Sequence, residues 1–340
     1  MFLLILRDLQ FRKWRVLLTM LLMAIVMTLL FIMAGVVGQM SGEPARAVNQ
    51  ISGDRTWVIA DGSSGPLTTP QAVPASRFAN TKATAGDAQL VLTSPVAING
   101  VRGFLIAREG QFDEPTLTNG RAVASAGEVV VDITTELSVG DRVDLNGTSV
   151  EVVGTSADTT IIAGLPLVFT TLAYGQSVAT AGQDLVTAAV TTSQPDVDAG
   201  LKVLSNDMVA ADARIPVEEA LSSITLINGL LWLVTIIIIT AVIYVAALER
   251  TRDFAVLKAV GARTRDLGAS LLVQGVVMTI GAFAIAAILQ RFIGPAFPMA
   301  LRMQGSSWIQ IFVTALIAAA LAALAGIQRM RSISPAEAFS

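Results

Sequence analysis

Carboxylates and cations are the residues here that could do chemistry, because the sequence holds no histidine and no cysteine. That removes the imidazole base, the thiol nucleophile and the usual Cys/His zinc sites. The 26 Asp/Glu and 23 Lys/Arg form no nucleophile–base pair and no metal-ligand spacing. The GxxxxGK[ST] pattern that cradles nucleotide phosphates is absent. One charged segment stands out, ERTRDFAVLKAVGA at residues 249–262. Glu249 and Arg252 are an opposite-charge i,i+3 pair, and Phe254 and Leu257 recur at helical spacing. Arg250, Asp253, Lys258 and Ala262 complete its surface, and Gly261 stands where a helix would end in the left-handed conformation. Its chemistry is docking: a short helix with apolar anchors among charges passes rigid-body motion to whatever seats on it. A plain amphipathic interfacial helix is the competing reading.

The elements that must position this segment are apolar. Four uncharged stretches, residues 16–38, 221–248, 267–290 and 303–328, each reach the roughly 18–20 residues that cross a bilayer as a helix. With 53% hydrophobic residues and a mean hydropathy of +0.66, the chain is too apolar for an ordinary soluble protein. Between the first two stretches lies a polar block, residues 41–220, too long for a loop. The fold class expected is an α-helical membrane protein with four transmembrane helices and one α+β extracytoplasmic domain between the first and second spans.

Charge sets the topology. Residues 41–220 hold 10 Lys/Arg against 21 Asp/Glu, and the rest of the chain holds 13 against 5. Short segments next to the spans carry 11 Lys/Arg on one side, including Arg7, Arg12, Arg263 and Arg329, and two, Arg291 and Arg302, on the other. The positive-inside rule then puts both termini and the 249–266 connection in the cytoplasm and the polar block outside. The basic residues are explained by the membrane, so no nucleic-acid partner is expected. The divisions that follow are a cytoplasmic amphipathic helix (1–15), spans at 16–40, 221–248, 267–290 and 304–328, the external domain (41–220), the cytoplasmic connection (249–266), a short external loop (291–303) and a cytoplasmic tail (329–340). An apolar run of about 23 residues exceeds a signal-peptide core of roughly 7–15, so the first stretch is read as a span.

The spans carry no Asp, Glu, Lys, Arg or His. A proton- or ion-driven carrier keeps one inside the membrane because so costly a group is retained only for work, which argues against that class. Small residues at Gly275, Gly281, Ala282, Ala286, Ala315, Ala319 and Ala323 predict close intramolecular helix packing. The β-branched run 236–239 is a surface for lipid or another subunit. In the external block, Asn99-Gly100 and Asn146-Gly147 each join two β-rich runs and predict type I′ hairpins. Residues 129–133 and 186–191 read as strands, 197–205 as an amphipathic helix, and 61–74 and 110–120 as loops.

In these residues the chain resembles the permeases of the MacB/FtsX-like (type VII) ABC transporter superfamily. Residues 249–267, ERTRDFAVLKAVGARTRDL, are similar to that family's ERTREIG-x-(K/R)-A-(V/I)-G-A coupling segment. Gln274 stands near a Gln of the family's QFLIEA-like run, although LLVQGVV here lacks the acidic neighbour. Ser334-Pro335-Ala336-Glu337-Ala338 is similar to a terminal (D/S)PAEAL and has the form of a helix start, with Ser at the cap and Glu closing the box. Residues 127–154 resemble a section of the family's external domain. The resemblance implies a non-catalytic subunit with no cofactor of its own, ATP and Mg being held by a separate cytoplasmic ABC ATPase dimer. It implies a second permease protomer, a homodimer being favoured, and docking of the ATPase through Glu249, Arg250, Arg252, Asp253, Phe254, Leu257, Lys258, Gly261 and Ala262, with a C-terminal contact through Ser334, Pro335 and Glu337. The expected output is mechanotransmission: hydrolysis moves the external domain to export or extract an amphipathic peptide, antibiotic or lipid from the cytoplasmic membrane. The alternative is an FtsX-like regulator that activates an external partner such as a cell-wall hydrolase. An external adaptor is a further possible partner.

Overall fold

The computed structural model of the chain describes residues 13–110, 115–193, 195–249, 256, 260–261, 263–297, 301–303 and 305–331. It divides into two units, Met1–Gly38 with Ser222–Ser340, and Gln39–Leu221. The apolar stretches lie in four helices: α1 (Lys13–Ser52), α4 (Asn206–Leu248), α5 (Thr264–Ile293) and α6 (Gly305–Arg331). Each contains a window long and apolar enough to cross a membrane, with mean hydropathies of 2.8, 2.7, 2.3 and 2.2. At about 1.5 Å per residue, the 40 residues of α1 and the 43 of α4 exceed the roughly 30 Å of a hydrocarbon core. Their remainders, residues 39–52 and 206–221, belong to the second unit.

Within the first unit the helices pack where side chains are small. Ala315, Ala319 and Ala323 on α6 and Ala282 and Ala286 on α5 are buried, as their spacing predicts. Ala282, Ala286, Ala315 and Ala319 share a core with Met23, Met27 and Phe31 of α1 and Ile239 and Ile243 of α4. Cross-helix hydrogen bonds supplement the packing, from Thr28 Oγ1 to the Ala286 carbonyl (3.5 Å) and from Thr240 Oγ1 to the Ala318 carbonyl (3.3 Å). Phe31, Phe283, Trp308 and Phe312 form an aromatic cluster with centroids 4.7–6.2 Å apart. The 236–239 run is not one surface: Ile237 is exposed but Ile239 is fully buried, because a helix turns consecutive residues onto different faces.

The second unit is the expected α+β domain. Its strands are β1 (Thr56–Ala60), β2 (Val73–Pro74), β3 (Gln89–Ile98), β4 (Val101–Arg108), β5 (Leu117–Gly120), β6 (Glu128–Asp132), β7 (Arg142–Leu145), β8 (Thr148–Ser156), β9 (Thr160–Ile161), β10 (Leu165–Thr171), β11 (Leu185–Val186), β12 (Ala188–Thr191) and β13 (Leu201–Leu204), with short helices α2 (Ala79–Thr84) and α3 (Leu172–Ala179). The main sheet runs β13-β1-β12-β3-β4-β10-β6-β8-β5. Its β10–β4 and β6–β8 pairs are parallel. One face buries Trp57, Ile59, Phe104, Ile106 and Phe169 against Ala47, Val48 and Ile51 of α1 and Val209, Ala210 and Ala213 of α4. The other buries Leu105, Ala107, Val131 and Val168 beneath α3. At Gly175 of α3 a Cβ would stand 2.1 Å from the Ala107 Cβ, so glycine sets how closely that helix approaches the sheet.

Both Asn-Gly hairpins form, with Asn99 and Gly100 at φ 47° and 79° and Asn146 and Gly147 at 51° and 86°. The two turns are joined to each other: Asp144 N–H donates to Asn99 Oδ1 (2.9 Å) and Ala97 N–H to Asn146 Oδ1 (2.8 Å). The helix expected at 197–205 does not form. Gly200 takes a φ of 86°, and Leu201–Leu204 pair with β1 as an edge strand. The expected strand 186–191 is divided between β11 and β12, and the loop expected at 110–120 contains β5.

Candidate coupling site

The connection after α4 is approached from both sides by described residues. Glu249 ends the helix, its N–H donating to the Val245 carbonyl at 3.2 Å, and its carboxylate pairs with Arg15 of α1. Both side chains are about two-fifths exposed, 41% and 44%, so the pair sets geometry more than it adds stability. Beside it lies a cavity of about 40 Å³, lined by Thr19, Gln274 and Met278 among others, enough for a water or two. Glu249 and Gln274, 25 positions apart, are thus brought to one place, with Arg15 as the residue sequence reasoning did not connect to them.

Val256 and Val260 are exposed, and the Val260 N–H donates to the Val256 carbonyl at 3.1 Å. Gly261 follows at φ 100°, the left-handed conformation its position predicts for a helix end. These two valines escaped the sequence reading, which chose Phe254 and Leu257; their own i,i+4 spacing was the available signal. Arg250, Arg252, Asp253, Phe254, Leu257, Lys258 and Ala262 lie outside the described residues, as do Ser334, Pro335, Glu337 and residues 1–12 of the helix expected over 1–15, whose last three residues open α1. Past the turn, α5 starts after Arg263, with Asp266 in its first turn, where a carboxylate favours the helix dipole. Leu267 and Leu271 pack on Ala247 and Ile327, which seats the start of α5 against α4 and α6.

In the second unit α1 itself contributes a buried carboxylate, Glu43, 1% exposed. Its Oε1 accepts from Thr160 Oγ1 (2.6 Å) and Gly164 N–H (2.9 Å), and its Oε2 from Ala163 N–H (2.8 Å). Ile162, Ala163 and Gly164 all have positive φ, at 52°, 62° and 95°. Successive amides in a tight turn converge on an anion, and the anion here is a side chain of the same protein. Sequence reasoning counted Glu43 among the acidic residues of the external block and gave it no role.

Elsewhere the carboxylates serve the domain surface. Arg121 grips Glu128 at 2.6 and 2.8 Å. That hydrogen bonding, with the Ala124 and Ser125 amides, holds the Glu128 carboxyl down to about 2. Burial opposes ionisation of Asp87, but hydrogen bonds from Thr191, Thr192 and Ser193 outweigh it and hold the group well below the usual range. Among the described residues no three His, Cys, Asp or Glu are grouped to hold a metal.

Residues 225–335 match the FtsX-like permease C-terminal family, a range that takes in the apolar part of α4, α5 and most of α6. An uncharacterized ABC transporter permease of Mycobacterium bovis is 29% identical over 342 residues, covering 98% of both chains. Another, from Mycobacterium tuberculosis, is 28% identical over 349 residues with the same coverage. Among solved structures, the periplasmic region of MacB from Actinobacillus actinomycetemcomitans aligns over 48% of this chain and 94% of its own, at 12% identity and a TM-score of 0.36. The extracellular domain of the transporter YknZ from Gram-positive bacteria aligns over 44% and 100%, at 10% and 0.34. Residues 225–335 thus match an FtsX-like permease C-terminal domain, and the whole chain, with four helices long and apolar enough to cross a membrane, is similar along its length to ABC transporter permeases.

Proposed function

We propose that this protein is the permease subunit of an ATP-driven ABC transporter of the mechanotransmission type, working as a homodimer with a separate cytoplasmic ATPase dimer. It lies in the cytoplasmic membrane with both termini and the 249–266 connection inside and residues 41–220 outside, on the basis of the Lys/Arg asymmetry. The observation that carries the reading is full-length similarity to ABC transporter permeases in a chain without a nucleotide-binding glycine loop. ATP and Mg are held by the partner, and this chain contributes no catalytic group. The cargo is an amphipathic peptide, antibiotic or lipid that is exported or extracted.

In this reading Glu249, Phe254, Leu257 and Gly261 seat in a groove of the ATPase, and α1 and α4 are the levers. Two observations support the levers: both chain crossings between the units fall inside helices, and no charge in the spans is available for relay. Leu226, Leu230, Leu233 and Ile237 of α4 are exposed apolar residues suited to a subunit contact. The test is Leu257→Asp. An anchor of this kind typically costs about 2 kcal/mol or more on loss, so the variant should fold, insert and fail to co-purify with the ATPase. Normal co-purification would overturn the coupling role.

A further inference from the structure

Two long helices enter the second unit, and each brings a buried carboxylate with it. Residues 39–52 of α1 and 206–221 of α4 lie in that unit, and on them Glu43 and Asp212 are buried. Burying a carboxylate carries a desolvation cost that only specific partners offset, so the partners show its purpose. Glu43 takes the Thr160 hydroxyl and the Ala163 and Gly164 amides. Those residues span the turn from β9 into β10, and β10 lies between β4 and β6 in the main sheet. Three residues along α1, Arg46 reaches Asp158, just before the same turn, with Nε 3.6 Å from Oδ1.

Asp212 holds a different part of the domain to α4. It accepts from the Thr68 hydroxyl, and the loop comes so close that a Cβ added at Gly65 would overlap its carboxylate. The loop, residues 63–69, is itself braced. Ser63 Oγ lies 3.0 and 2.8 Å from the Gly65 and Thr69 carbonyls, Leu67 is inserted in the core, and Thr93 Oγ1 of β3 donates to the Pro66 carbonyl at 2.5 Å. The helices are also tied to each other: Arg214 of α4 donates to the Ser41 carbonyl at 2.9 Å, and Asn206 Oδ1 accepts from Ser52 Oγ. Apolar packing already holds the pair against the sheet, through Ala47, Val48 and Ile51 of α1 and Val209, Ala210 and Ala213 of α4. Hydrophobic contact is non-directional and resists separation more than sliding. Hydrogen bonds to a charged group are directional and roughly twice as strong as neutral ones, so they fix the register.

We propose that Glu43 and Asp212 are positioning residues that fasten the α1–α4 pair to the sheet at two separate points, near β10 and near β3, so that the second unit follows the helix ends as one rigid body. The fastening is a property of this unit alone; that it carries movement outward rests on the mechanotransmission reading. Its consequence is that a nucleotide-driven change occurs between the external domains of two protomers and not inside one.

The chain's lack of cysteine allows spin labels at Asn49→Cys, exposed on α1, and at Val101→Cys, exposed at the start of β4. In the full chain in lipid nanodiscs, diluted with unlabelled chain, the 49–101 distance distribution should be a single narrow peak. Glu43→Gln with Asp212→Asn should broaden or shift it. Should that pair of substitutions prevent folding, Thr160→Val with Thr68→Val keeps side-chain volume, removes one donor from each carboxylate and should broaden the peak in the same way. A broad peak in the parent chain, or a peak as narrow in the folded variants as in the parent, would overturn the proposal. Transmission is read with the co-purified ATPase and a non-hydrolysable ATP analogue. Distances between protomers should shift at both 49 and 101 in the parent, while the 49–101 distance within a chain holds. In the fastening variants the shift at 49 should persist and that at 101 should be lost; a shift at 101 equal to the parent's would overturn the positioning role. No shift at either site in the parent would instead refute mechanotransmission, with the fastening decided by the peak width in the chain alone.

Discussion

Removing the carboxylate of Glu43 isolates one connection whose strength can be worked from its atoms. Three donors converge on it at 2.6, 2.8 and 2.9 Å, in a site where the residue is 1% exposed. A hydrogen bond to a charged group contributes about 1.5–3 kcal/mol net, and a buried donor left without a partner costs about 1–3 kcal/mol. Burying the carboxylate itself carries a desolvation cost that offsets part of this. Glu43→Ala removes all three bonds and leaves the Ala163 and Gly164 amides unpaired, for an expected loss of about 3–5 kcal/mol. Glu43→Gln is milder. Its amide oxygen can keep the two bonds now made to Oε1, but its NH2 group then faces the Ala163 N–H, donor against donor, for a loss of about 1–3 kcal/mol.

The turn adds a second contribution, because Ile162 and Ala163 sit in the left-handed region, where a side chain costs about 1–2 kcal/mol per residue. Without the carboxylate nothing offsets that strain, so the turn should open before the domain does. Hydrogen-exchange mass spectrometry on the full chain in lipid nanodiscs reads this directly. In Glu43→Gln the amides of residues 163 and 164 should exchange about 5- to 150-fold faster, the equivalent of 1–3 kcal/mol, while an exposed control, Glu218→Gln, leaves them unchanged. Unaltered protection of those two amides in Glu43→Gln, together with an unchanged melting temperature in Glu43→Ala, would refute the reasoning.

Two further outcomes follow from the second unit. Gly175→Ala forces a Cβ to 2.1 Å from the Ala107 Cβ, an atom that cannot rotate away, so α3 must lift from the sheet. The expected cost is about 1–3 kcal/mol, read as a lower melting temperature, and a neutral result would show that α3 is not fixed there. The Glu128 carboxyl titrates at about 2 in the folded chain, against an ordinary value near 4.3. Its contribution is therefore present above about pH 5 and is lost as pH falls toward 2. Glu128→Gln should remove that part of the acid sensitivity, and an unchanged melting-temperature profile between pH 5 and 2 would contradict the assignment.

Much of this architecture was written in residue order, and what was not has physical causes. The four apolar runs and the two Asn-Gly turns were legible because each is a local signal: hydropathy decides the first and the need for positive φ the second. The helix ends were not. Hydropathy drops at Ser41 because α1 stops facing lipid there. The helix nevertheless continues to Ser52, with Ala47, Val48 and Ile51 finding a new apolar partner in the sheet. The same exchange of partner carries α4 back to Asn206, where the Asn206 Oδ1 accepts from Ser52 Oγ (3.0 Å) and from Trp57 Nε1 (2.8 Å). Residues 197–205 misled in the opposite direction. Val197, Leu201 and Leu204 have helical spacing, but pairing with β1 was worth more than an isolated turn of helix beginning beside a left-handed Gly200. The Glu43 turn had no local signal at all, since Ile162 and Ala163 are poor choices for positive φ and the turn is held by a carboxylate 117 or more positions earlier that accepts from Thr160, Ala163 and Gly164. At the candidate coupling site the pattern repeats: the turn at Gly261 was legible in the sequence, whereas the convergence of Arg15, Glu249 and Gln274 depends on how three helices pack. Sequence therefore speaks for surfaces that meet solvent, lipid or a turn, and is silent where one helix exchanges lipid for protein. Those exchange points, residues 39–52 and 206–221, are where a lever would have to be gripped if movement of the spans is to reach the external domain.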